Sequence, residues 1–141
     1  MKKLFFVSLV ILFMLASCSN TYCPKDEATS SIDEMMDLSE EWDDAMAVAN
    51  STSRIGLTGP IGDLQEIKRE AGRMEVPPCL EWAQTRLIKM MEFGIDGFLA
   101  FASEEPDSTV TSYFNKYGIE MDNFIDALDE VNECLPNCKE P

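Results

Sequence analysis

Small and apolar positions recur at helical spacing from Ile32 onward. Ile32, Met35, Ser39, Trp42, Met46, Ala49 and Ser53 step alternately by three and four, with acidic residues filling the gaps. That is the period of an amphipathic helix with one buried stripe, and it predicts a first helix over 27–54. Gly56-Leu57-Thr58-Gly59-Pro60 interrupts the pattern, and Pro60 suits the first turn of a second helix, where its missing N–H loses no partner. Ile61, Leu64, Ile67, Ala71 and Met74 form the second stripe, with Glu66/Arg69 and Glu70/Arg73 spaced three apart for surface pairing. Pro77-Pro78 ends this helix, because a residue before proline is pushed out of the helical region.

The third helix, predicted over 79–103, differs in kind. Between Leu87 and Ala102 the only charges are Lys89, Glu92 and Asp96, which step by three and four and so form one narrow polar seam on a buried cylinder. Three charges in so short a run argue against a membrane span. Ser103-Glu104-Glu105-Pro106-Asp107-Ser108 is a turn with helix-start chemistry, Pro early and acids near the positive end of the dipole. Val110, Tyr113, Phe114, Tyr117, Met121, Phe124, Leu128, Val131 and Leu135 then mark a fourth helix. No repeat or second domain interrupts the series. The pattern predicts an all-α, up-down four-helix bundle over 27–141, its third helix central and its neighbours antiparallel across short connections.

The chain opens differently. Met1-Lys2-Lys3 is basic, and Leu4 to Leu15 is apolar except for Ser8, a run too short for a bilayer but shaped like a secretory leader. Leu15-Ala16-Ser17-Cys18 follows, and it resembles the lipobox of bacterial lipoproteins. The resemblance implies a cleaved signal peptide at 1–17, acyl chains such as palmitate on Cys18, and a lipidated tether over 18–26. It also implies an extracytoplasmic location on a bacterial membrane, and Ser19 after the cysteine implies the outer membrane where one exists. Several acyl chains hold permanently, since each buried CH₂ contributes about 0.8 kcal/mol. Two further stretches are similar to segments of bacterial envelope proteins that carry no described activity. They run from Ile61 to Leu80, including Val76-Pro77-Pro78-Cys79, and from Ile95 to Ser108.

Charge narrows the choice of partner. The chain carries 26 acids against 11 bases for a net charge of −15, and cleavage before Cys18 would remove two of the lysines and no acid. Such a surface repels nucleic acid and anionic headgroups, so lipid rather than a basic patch must supply membrane attachment. Histidine is absent from the whole sequence. This excludes Ser-His-Asp triads, His-containing zinc sites, His-ligated haem and Glu-x-x-His di-iron bundles. Without a histidine base the remaining hydroxyls are unactivated, and neither an enzyme nor a cofactor is expected.

Apart from Cys18 there are four cysteines, Cys23, Cys79, Cys134 and Cys138. In an up-down bundle the starts of helices one and three and the end of helix four share one end, so all four are expected to converge there. An even number in an exported chain reads as two disulfides, with three pairings open. Facing helix ends favour Cys79 with Cys134, leaving Cys23 with Cys138. A four-cysteine zinc site needs the same convergence, but oxidising export and the lack of Cys-x-x-Cys argue against it.

Other residues admit two readings each. The methionines are ligands for Cu(I) in some exported carriers, yet most fall on apolar stripes, where they fill gaps. Gly94 and Gly97 sit inside the most apolar helix, where each costs about 1 kcal/mol against Ala. They imply close approach, either by Phe114, Tyr117 or Met121 or by a flat apolar ligand. Glu40-Glu41-Trp42-Asp43-Asp44 and the acids from Asp122 to Glu133 lack the spaced ligands and glycine turn of a calcium loop and read as solvated faces. The sequence thus leads to a non-enzymatic binding or adaptor protein of the cell envelope. The alternative is a carrier of a small apolar ligand or soft metal near Gly94 and Gly97.

Overall fold

Four α-helices account for most of residues 23–135, which the computed structural model describes. They are α1 (Lys25–Ser51), α2 (Thr58–Arg73), α3 (Glu81–Ala102) and α4 (Asp107–Cys134), with single-turn 3₁₀ helices at Arg54–Gly56 and Pro78–Leu80. No strand occurs among the described residues, and the fold is an all-α bundle. Cys18 and Cys138 lie outside them.

The predicted stripes become the core, with one shift. On α1, Ala28, Ile32, Met35, Trp42, Met46 and Ala49 are buried, as is Leu38 in place of the expected Ser39. A period of 3.6 residues over 27 favours whichever neighbour is more apolar, and Leu38 gains more from burial than a serine can. Ser53 lies beyond the helix end and is exposed. α1 stops at Ser51, where the hydroxyls of Ser51 and Thr52 both donate to the carbonyl of Val48, at 2.9 and 2.7 Å. These side chains take up a carbonyl that the helix can no longer satisfy.

α3 is the central helix, as its composition predicted. It packs along α4 and also against α1 and α2, and α1 lies along α2. Leu87, Met90 and Met91 have no exposed surface. The charged seam is where the spacing put it: Lys89 and Glu92 are exposed and Asp96 half-buried. Gln84 joins α3 to the end of α2, its Nε2 donating to the carbonyls of Ala71 and Met74 at 2.9 Å each. One amide thereby satisfies two last-turn acceptors.

The turn between α3 and α4 is tighter than its composition suggested. Glu104 N–H donates to Phe101 O and Glu105 N–H to Ala100 O, at 3.3 and 3.0 Å, which is the Schellman closure of a helix C-terminus. The position that closure requires in the left-handed region is held by Glu104 at φ 59°, not by glycine.

Candidate functional site

The sequence's candidate sites separate in space. Cys23 bonds Cys79 across 56 residues, with a Cα–Cα distance of 5.4 Å. This corrects both expected pairings, Cys79–Cys134 and Cys23–Cys138. α1 and α3 start at the same end of the bundle and pack on one another, so Cys23, buried where the chain enters α1, meets Cys79 in the turn before α3. Cys134 is exposed on the last turn of α4 and bonds none of the described cysteines. The start of the fold moves with this correction. The tether was expected to reach residue 26, but Cys23 already belongs to the core and α1 begins at Lys25.

Gly94 and Gly97 are where α3 accepts aromatic rings. A Cβ on Gly94 would stand 2.8 Å from Trp42 Cζ2 and 3.3 Å from Tyr117 Cδ2, and one on Gly97 would stand 2.9 Å from Phe114 Cζ. The space considered for a flat ligand is filled by the protein's own rings. Phe114 also meets Phe98 edge to face at 5.3 Å, a favoured aromatic geometry. Tyr117 sets its hydroxyl beside the Trp42 indole without reaching hydrogen-bond geometry, so Trp42 Nε1 has no partner. Burial raises the Tyr117 pKa, against a smaller lowering from the indole. Met35, Met46, Met90 and Met91 are buried core residues. Among the described residues no three acids or cysteines converge as a metal site would require.

What the structure adds is a trough. Three depressions follow one side of α1: the first, against the connector after α2, is lined by Glu27, Glu34 and Glu75, and the next two, along the α1/α2 seam, by Asp37, Glu41 and Glu70 and by Asp44, Asp63 and Glu66. They adjoin one another, since Glu34 borders the first two and Glu41 and Glu70 border the last two. The floor is apolar, formed by Leu38, Ala45, Ile67 and Met74, with Val48 54% exposed at one end. From Glu34 to Val48 the part between α1 and α2 runs about 21 Å at the helical rise.

Electrostatically the trough is almost uncompensated. Arg69 hydrogen-bonds Glu66 and holds that carboxyl below its ordinary range, with a smaller contribution from Arg73. No other trough carboxylate has a Lys or Arg within 4.0 Å among the described residues. α1 contains no basic residue after Lys25. A signal for this feature was present in the sequence: Glu27, Ser30, Glu34, Asp37, Glu41, Asp44 and Val48 step by three and four beside the core stripe. Of these positions only Glu41 and Asp44 stood out in the sequence, within a solvated face over 40–44, because nothing local shows that α2 presents acids to the same seam.

Set against protein-family profiles, curated proteins and solved structures, the chain matches none of them. None of the described helices is long and apolar enough to cross a membrane.

Proposed function

We propose that the chain is a bacterial lipoprotein, cut before Cys18, acylated there, and held on the extracytoplasmic side of a membrane as a non-enzymatic binding or adaptor protein of the envelope. The observation that supports this reading best is where the folded domain starts. Cys23 is buried and bonded to Cys79, so Cys18 stands only five residues ahead of a closed core. A cysteine there is free for acylation without disturbing the bundle. Disulfides of this kind persist in oxidising compartments outside the cytosol. At about 3.4 Å per residue the tether spans no more than about 17 Å, so the disulfide end is held near the lipid surface. Ile55, 95% exposed beside the far end of α1, then points away from it.

Two observations support the adaptor role. Protein rings pack over Gly94 and Gly97, where a carrier was expected to hold its ligand, and the open trough is external. Intact mass spectrometry of the native membrane-extracted protein tests the anchor. A chain beginning at Cys18, heavier by acyl groups and gaining hydrogens on reduction, is the expected result. Release of a Cys18→Ser variant from the membrane is expected with it. An unacylated native chain that stays with the membrane overturns the anchor. Crosslinking in intact cells tests the adaptor role, and a chain that crosslinks to no envelope protein overturns it.

A further inference from the structure

We propose that the α1/α2 trough is the docking site for a cationic amphipathic helix of a partner protein. The inference deepens the adaptor reading and rests on it, but not on the lipid anchor.

Shape selects a helix. The trough runs for about 21 Å between two helices, and its floor of Leu38, Ala45, Ile67 and Met74 lies between rims that are mainly acidic. Its complement is a helix with an apolar stripe flanked on both sides by Lys or Arg, the helix-in-groove mode of recognition. Topology leaves the place vacant: α4 packs on α3 and on the turn before it, away from the α1/α2 seam.

Charge selects the sign. Paired helices ordinarily place opposite charges across their edges, because like charges there destabilise the pair. Here Glu34, Asp37 and Glu41 on α1 face Glu70 on α2 across one depression, with Arg73 the lone cation on its lining. Solubility does not require this arrangement, since α4 carries exposed acids of its own. A trough that opposes its own closure and keeps an apolar floor is organised for a partner of opposite charge. A second copy of this chain would bring the same −15, and the carboxylates do not converge on a cation site.

The test uses the full chain extracted in detergent and a labelled helical peptide of about 20 residues, built from Leu, Ala and Lys with one apolar stripe. Binding is followed by fluorescence anisotropy at about 50 mM and about 300 mM salt. Glu34→Lys/Glu41→Lys is compared with Asp122→Lys/Asp129→Lys, which makes the same charge change on exposed α4 positions. The expected result is binding that salt weakens, lost about tenfold or more in the α1 variant and within about twofold of the parent in the α4 variant. Val48→Ala should weaken it further at high salt, where only the floor is unscreened. Equal losses in both charge variants would show diffuse attraction and overturn the trough, as would no binding at low salt. Self-association that the α1 variant abolishes would also overturn it, by making a second copy the occupant. Binding displaced to α4 would remove the trough while leaving the adaptor reading, whose own failure is read in the cellular crosslinking.

Discussion

The seams α3/α4 and α1/α2 are both antiparallel helix pairs, and their edges are built in opposite ways. Along α3/α4 two glycines admit the rings of Phe114 and Tyr117, and the edges carry attractive pairs. Arg86 donates to Glu120 at 2.8 Å with both side chains largely buried, and its guanidinium lies 3.8 Å over Trp82. Lys116 sits 5.4 Å from the rings of Phe93 and Tyr113. Along α1/α2 carboxylates stand on both edges, relieved on the α2 side by Arg69 and Arg73 at Glu66, and the seam stays open as a trough. What holds α1 is its buried stripe beneath and a covalent bond at one end. The difference teaches that an edge can be spared for a partner when packing and a disulfide already secure the helix behind it.

The comparison can be broken at several points. Removing the bond with Cys23→Ala/Cys79→Ala should have the largest effect, about 4 kcal/mol for a closed loop of this length. Hydrogen exchange should show α1 opening before α4, and equal loss of protection in both helices would mean the bond does not serve α1 in particular. Gly94→Val comes next, at about 2–3 kcal/mol by denaturant unfolding, because the fully buried Trp42 ring has nowhere to move. Arg86→Met should cost about 2 kcal/mol by leaving Glu120 with little besides Asn123. The double variant Arg86→Met/Glu120→Met should recover most of that loss.

Smaller effects sharpen the contrast from the other side. Glu41→Lys should raise stability by about 0.5 kcal/mol by relieving the like-charge rim, a gain that fades as salt is added. A loss of stability would mean the rims are not in mutual repulsion. Burial and then Glu92 raise the Asp96 pKa above its ordinary value, against weaker pulls from Lys68 and Lys116. The folded state therefore holds that proton more tightly than the unfolded chain does. Its contribution is favourable at low pH and is lost as pH rises through the carboxylate range. Asp96→Asn should flatten that part of the stability–pH curve, and an unchanged curve would refute the assignment.

Legibility followed range. The helices, the central place of α3 and the glycines as points of ring contact could all be read in advance, since period and composition act over a few turns. Ser39 was taken for a core position where Leu38 is buried, because the two flank one stripe and the more apolar side chain gains more from burial. The Schellman turn was missed because Glu104 occupies the position where glycine would have announced it.

The amino-acid order by itself determined four amphipathic helices, an acidic surface, a chain without histidine, and a leader that resembles a lipobox. Only the tertiary structure decided that Cys79 joins Cys23, that Trp42 and Tyr117 share Gly94, and that acids thirty residues apart line one trough. Hydrophobic period is a property of each helix alone. Partner choice between helices depends on which faces meet, and residues far apart in sequence must be placed in space before their distances exist.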